Sequence, residues 1–245
     1  MRTFTPSSTR MLPPDRLICR FTFWRCHSKS VTDSCVGGER RSAPAMTPDF
    51  SLTDRTSIVT GGSRGLGRAI ALGFAAAGAN VVIASRKADA CEAVVAEIEA
   101  AGGTALSVPT HVGRAEEIDA LVAATVERFG GIDVVVNNAA NPLGGLLRDV
   151  TPLMFEKAYG VNVLAPILLG SAALPHLERS EHASVINVVT VGAYRGGEGL
   201  GLYCSSKAAM VNLTAVMAKE WGPLGVRVNG IAPGVIVTPQ TLDAV

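Results

Sequence analysis

The sequence predicts a doubly wound α/β architecture, a parallel sheet covered by helices on both faces. Three observations predict it. From residue 52 onward, short apolar runs of strand length alternate with stretches of helical period. Most of these runs are continuously apolar rather than alternating, the pattern of strands buried on both faces. The first run passes through a glycine-rich turn directly into a helical pattern.

Each element has its own signal. Ser57-Ile58-Val59-Thr60 is the first strand, and a helix follows from Arg64 to Ala77. That helix aligns Leu66, Ile70 and Phe74 on one face and stops at Gly78. Asn80-Val81-Val82-Ile83-Ala84 is the second strand, and the helix over 88–101 ends at Gly102-Gly103. The third strand covers Thr104–Val108. The next helix carries Ile118, Leu121, Val122 and Val126 on one face and ends at Gly130-Gly131. Ile132-Asp133-Val134-Val135-Val136 is the fourth strand. Thr151-Pro152 reads as an N-cap with proline at the first helical position, opening a helix that runs through Asn162 toward Pro175. Ser184–Val189 is the fifth strand. A long helix runs from near Tyr203 to about Trp221, and Arg227-Val228-Asn229-Gly230-Ile231 is the sixth strand.

Residues 1–45 are a different kind of sequence. They hold eight Lys/Arg against three Asp/Glu, lack helical or strand period, and are rich in Arg, Ser, Thr and Pro. They read as a disordered or non-native extension: a start at Met46, a native tail and a transit peptide all fit. The folded domain is therefore assigned to residues 46–245. The whole chain of 245 residues has a net charge of +1, which gives no reason to expect a nucleic-acid partner. No apolar run reads as long or pure enough to span a bilayer, so no membrane partner is expected. Cys19, Cys26, Cys35, Cys91 and Cys204 fit neither a zinc ribbon nor a CxxC pair. Free thiols and a cytoplasmic location are expected. His27, His111, His176 and His182 show no ligand spacing, and no metal is expected.

The turn after the first strand reads Thr60-Gly61-Gly62-Ser63-Arg64-Gly65-Leu66-Gly67. Glycines let backbone N–H groups approach a pyrophosphate, and the helix N-terminus adds positive potential. Gly61, Ser63, Arg64, Gly65, Leu66 and Gly67 are the expected cradle. The second strand ends Ala84-Ser85-Arg86-Lys87, without the carboxylate that binds a ribose 2′-hydroxyl. Ser85 and Arg86 instead suit a 2′-phosphate, because a guanidinium forms charge-assisted bonds to it. This favours NADP(H) as cofactor and leaves NAD(H) open.

Tyr203 and Lys207 stand four residues apart on one helix, so they share a face. A nearby ammonium would favour the phenolate and lower the phenol's pKa.

Together these motifs resemble the classical short-chain dehydrogenase/reductase family, over roughly residues 52–240. Thr60-Gly61-Gly62-Ser63-Arg64-Gly65-Leu66-Gly67 matches its T-G-x-x-x-G-x-G turn. Asn137-Asn138-Ala139 matches its N-N-A-G, with Ala140 in place of the last glycine. Asn162 matches the helix asparagine of the catalytic tetrad. Pro233-Gly234 and Thr238 match the P-G-x-x-x-T stretch that borders the nicotinamide. The resemblance implies a three-layer Rossmann-type fold and hydride transfer between a nicotinamide and a carbonyl or secondary alcohol. It adds Asn138, Ala139, Pro233, Gly234, Thr238, Tyr203 and Lys207 to the cofactor site. It implies Asn162, Thr190, Tyr203 and Lys207 as the catalytic set: Tyr203 exchanges the proton, Lys207 tunes it, Thr190 polarises the carbonyl, and Asn162 helps hold a relay water. The family usually has serine where Thr190 stands. Threonine keeps the hydroxyl but narrows the pocket, and a purely structural threonine is the alternative. Thr110-His111-Val112-Gly113 and Asn137–Pro142 resemble carbonyl/retinol reductase-like members, and 3-oxoacyl-[acyl-carrier-protein] reductases are close in pattern.

The sequence stops seven residues after Thr238, so the seventh strand and substrate-loop helices usual in the family are not expected. The competing reading is a catalytically inactive fragment that binds at most dinucleotide or a partner subunit. A small-molecule substrate is expected. The resemblance further implies a homodimer, through the helices around 151–175 and 203–221, rather than a tetramer.

Overall fold

The computed structural model describes residues 50–238. The readings for residues 1–45 lie outside them. The described residues belong to one compact unit. The strands are β1 (Thr56–Thr60), β2 (Asn80–Ser85), β3 (Thr104–Pro109), β4 (Val134–Asn137), β5 (Ser184–Val188) and β6 (Arg227–Ile231). All pair in parallel, in the order β3-β2-β1-β4-β5-β6. The helices are α1 (Gly65–Ala76), α2 (Ala88–Ala100), α3 (Ala115–Phe129), α4 (Pro152–Tyr159), α5 (Ala165–Leu177), α6 (Gly192–Arg195) and α7 (Gly201–Trp221). The predicted three-layer α/β/α class is the one observed.

Pleating splits each central strand between two cores. Val59, Val81, Ile83 and Val136 face α1 and α2, where they meet Ala71, Cys91, Val94 and Ile98. Ile58, Val82, Val135 and Val185 face α3, α5 and α7, where they meet Leu121, Leu169, Met217 and Trp221. Burial on both faces is why these strands read as unbroken apolar runs. Each fully buried Val, Ile or Leu contributes about 1.5–3 kcal/mol. Trp221 packs so closely over α5 that a Cβ on Gly170 would stand 2.6 Å from its ring. Glycine is what lets the two helices approach there.

Boundaries differ from the sequence reading by one or two residues, with two instructive cases. β4 begins at Val134 rather than Ile132 and continues to Asn137. The Asp133 carboxylate accepts from the Thr56 N–H at 2.8 Å and from the Ser180 hydroxyl, which closes the strand's entry. β3 continues to Pro109, tolerated because the strand lies at the sheet edge.

The helix opened by Thr151 has its cap as read: Thr151 Oγ1 accepts from the Met154 N–H at 3.3 Å, with Pro152 at the first position. It is interrupted by a π turn at Gly160–Leu164 and resumes as α5. Pro166 has no N–H to offer the carbonyl of Asn162 four residues back or of Val161 five back, which disfavours regular α bonding there. One expectation is corrected. The helical span Pro152–Leu177, π turn included, is long and apolar enough to cross a membrane by length and composition. Its inner residues Ala165, Leu169, Ala173 and Leu177 pack in the core.

The chain order reverses between β1 and β4, the usual place for a ligand crevice at the carboxyl ends of the strands. The glycine turn, the loop after β4, the turn after β5 and the start of α7 all open there.

Candidate active site

The glycine turn is moulded by β4. The Thr60 hydroxyl donates to the Val136 carbonyl at 3.1 Å and accepts from the Asn138 and Ala139 N–H groups at 3.0 and 3.1 Å. The Asn138 amide nitrogen donates to the carbonyls of Thr60 and Gly61 at 2.9 and 3.3 Å. Asn138 and Ala139 thus shape the turn by holding it. Gly61 and Gly65 have φ of +65° and +54°, a backbone form that side chains resist. A Cβ on Gly67 would stand 2.2 Å from the Gly61 carbonyl oxygen and 2.5 Å from the Asn138 amide nitrogen. Arg64 occupies the N-cap of α1, and Leu66 lies in its first turn. The first-turn N–H groups of a helix have no partner within the helix, and in a cradle that Cβ atoms would fill they suit a pyrophosphate.

Ser63 donates to Ser85 across the gap between the turn and the end of β2, at 3.0 Å. The Arg86 side chain beside them is exposed and makes no hydrogen bond or ion pair among the described residues. Thr238 lies against Gly65, 3.7 Å from where a Cβ would be. The Pro233 carbonyl accepts from the Val191 N–H at 3.1 Å, which fastens the Pro233–Gly234 stretch to the turn after β5.

Asn162 sits fully buried in the π turn. Its Oδ1 accepts from the Asn141 N–H at 2.7 Å. Its Nδ2 donates to the Asn141 carbonyl at 3.1 Å and to Ser206 Oγ at 2.9 Å. Ser206 in turn donates to the Tyr203 carbonyl at 2.7 Å. The asparagine ties the loop after β4 to the first turns of α7.

Lys207 is 3% exposed, and its ammonium donates to the Val188 carbonyl at 2.7 Å. Burial pushes its pKa down to about 8. Tyr203 is half-buried, and burial pushes its phenol above the usual value, with the neighbouring Cys204 thiol adding to the effect. This corrects the expected lowering of the phenol by Lys207. The ammonium is turned to the end of β5, and burial dominates the phenol. Thr190 follows β5, and its hydroxyl accepts from the Gly192 N–H at 3.3 Å. A Cβ on Gly192 would touch both Cys204 Sγ, at 3.0 Å, and Thr190 Cγ2, at 3.5 Å. Thr190 and the start of α7 are thereby brought together.

Sequence reasoning missed Asn141 and Ser206, which satisfy Asn162. It also missed a buried chain across the sheet. Asn137 Nδ2 donates to Asn187 Oδ1 at 2.9 Å, Asn187 Nδ2 to Thr214 Oγ1 at 2.9 Å, and Thr214 Oγ1 to the Met210 carbonyl at 2.6 Å. The available signal was polar residues inside otherwise apolar elements, which must find one another when buried.

Known proteins share this architecture. The short chain dehydrogenase family matches residues 55–244. Human dehydrogenase/reductase SDR family member 4 is 38% identical over 200 residues, covering 81% of this chain and 72% of that protein. The 3-oxoacyl-[acyl-carrier-protein] reductase of Synechocystis is 36% identical over 192 residues, 78% of each chain. A dehydrogenase/reductase structure from Sinorhizobium meliloti superposes with a TM-score of 0.74 at 37% identity, covering 77% of this chain and 75% of that one.

Proposed function

The chain belongs to the short-chain dehydrogenase/reductase family of NAD(P)-dependent oxidoreductases, and from that premise we propose that it is an NADP(H)-dependent carbonyl reductase. The observation that carries the proposal is the placing of Tyr203 and the buried Lys207 one helical turn apart on α7, with the Lys207 ammonium bonded to the end of β5 and Gly192 fitted between Thr190 and Cys204. A bound nicotinamide would supply the hydride.

The chain's own residues supply the rest. The glycine turn and the start of α1 hold the pyrophosphate through backbone N–H groups. Thr190 donates its hydroxyl hydrogen to the carbonyl oxygen of the substrate and polarises it. Tyr203 gives its phenolic proton to the same oxygen as charge builds there. Lys207 reprotonates the phenolate. A pKa near 8 lets an amine release and regain a proton around neutral pH. Asn162 keeps the π turn and α7 in place around these groups.

The NADP(H) preference is supported by Arg86. A guanidinium just after β2, with no hydrogen bond or ion pair among the described residues, suits a 2′-phosphate. A homodimer is supported by the apolar residues that α4 and the turn after it leave exposed: Leu153, Phe155 and Leu164.

The test is NADPH and NADH oxidation across a panel of ketones and diketones, for wild type and Arg86→Glu. A charge-assisted bond is worth about 1.5–3 kcal/mol. The substitution should therefore weaken NADPH at least about tenfold while leaving NADH little changed. Equal effects on both, or none, would remove the argument for NADP(H).

A further inference from the structure

Helix α7 carries both proton-handling groups, and two of its residues bond directly to β5. Lys207 donates to the Val188 carbonyl at 2.7 Å. Thr214 accepts from the side chain of Asn187, the preceding strand residue, at 2.9 Å. The two helix residues are seven apart, so they lie on one face, about 10 Å apart along the axis.

The two bonds differ in kind. The Lys207 bond is made by an ionisable group that has to gain and lose a proton during turnover. A tether of that sort is weakened whenever the amine changes state or partner. The Asn187–Thr214 bond joins two neutral groups that do not titrate. Both are buried, at 1% and 8% exposure. Its geometry is fixed at each end. Asn137 holds Asn187 Oδ1 at 2.9 Å, which orients the amide so that Nδ2 points at α7. Thr214 spends its own hydrogen on the Met210 carbonyl at 2.6 Å, so its oxygen is left to accept. Asn187 Nδ2 also lies 3.9 Å from Met217 Sδ, one turn further along the same face.

We propose that Asn187 and Thr214 are positioning residues for the reductase reaction: their hydrogen bond, oriented by Asn137, holds α7 in register on β5 so that Lys207 can leave the Val188 carbonyl without displacing Tyr203. The role of Lys207 in this statement rests on the reductase reading above. The placement of α7 does not.

The test uses the full chain as Thr214→Val, which removes the acceptor with little change of shape, and Thr214→Ser, which restores it. Asn187→Leu is a more disruptive third variant. The direct readout needs no cofactor. The chain has five lysines, Lys29, Lys87, Lys157, Lys207 and Lys219, so NMR titration of 13C-labelled lysine resolves the amine of Lys207. In Thr214→Val the Lys207 amine should titrate higher than in wild type, toward the 10.5 of a solvated lysine, and Thr214→Ser should return it. With NADPH and a diketone as fixed probes, kcat of Thr214→Val should fall roughly tenfold, because a misplacement of under 1 Å at the reacting groups has that order of effect. The KM for NADPH should stay within about twofold. Thr214→Ser should recover kcat.

A lower melting temperature in Thr214→Val with unchanged Lys207 titration would overturn the proposal, and so would failure of Thr214→Ser to restore it. If wild type reduces nothing, the reductase reading fails, while the titration arm still decides whether the bond positions Lys207. If Asn187→Leu fails to fold, the two Thr214 variants decide alone.

Discussion

Replacing Gly67 with alanine tests the phosphate cradle by geometry alone. The added methyl would stand 2.2 Å from the Gly61 carbonyl oxygen, where a carbon–oxygen contact needs about 3.2 Å. The turn must therefore open by about 1 Å. The obstacle on one side is the Gly61 backbone, and the Asn138 side-chain amide at 2.5 Å blocks the alternative direction. Opening breaks or stretches the Asn138 bonds to the Thr60 and Gly61 carbonyls at 2.9 and 3.3 Å. It also displaces the N–H groups that should meet the pyrophosphate. One charge-assisted hydrogen bond is worth about 1.5–3 kcal/mol, so its loss weakens NADPH roughly 10- to 150-fold. Overpacking should cost about 1–3 kcal/mol of stability as well. Gly73→Ala is the control, because a Cβ there meets nothing within 4 Å. It should leave binding unchanged and stabilise α1 by about 0.5–1 kcal/mol. The assay is titration of NADPH fluorescence with each folded variant. Binding by Gly67→Ala within twofold of wild type would refute the assignment of this turn as the cradle.

Two further outcomes follow from the catalytic groups. Lys207→Met should abolish turnover yet stabilise the fold at pH 7, by up to about 3 kcal/mol less the lost bond to Val188. Because the folded pKa of about 8 lies below the unfolded 10.5, the burial penalty is full below pH 8 and fades as pH rises to 10.5. Urea melts across that window should show wild type gaining on Lys207→Met, and a constant gap would contradict the buried ammonium. Thr190→Ser should match or exceed the wild-type reductase rate, whereas Thr190→Val should lose roughly 100- to 1,000-fold in kcat. Full activity in the valine variant would make Thr190 a structural residue.

Much of this was legible in the sequence, for reasons that particular residues make clear. Val81, Val82 and Ile83 announce a strand covered twice, and Gly61, Gly65 and Gly67 announce a turn that admits no side chains. Tyr203 and Lys207 lie one turn apart, so a local period reveals them. What was not legible depends on pairs far apart in the chain. The tie from Lys207 to the Val188 carbonyl spans 19 residues, and the burial that raises the Tyr203 phenol comes from tertiary packing that no local period reports. Asn187 looks like a flaw in an apolar strand until Asn137, 50 residues earlier, and Thr214, 27 later, are seen beside it. The π turn at Gly160–Leu164 was hidden because one wide turn barely disturbs a helical apolar pattern. Thr151 and Pro152, in contrast, fix the start of their helix locally and were read as they stand.

The central claim is that the phenolic proton of Tyr203 is the one delivered to the substrate oxygen. Tyr203→Phe removes that proton while keeping the ring and its half-buried packing. With NADPH affinity and melting temperature close to wild type, the diketone reductase rate should fall by at least about 100-fold. A Tyr203→Phe enzyme that binds NADPH and reduces the diketone at the wild-type rate would contradict the mechanism.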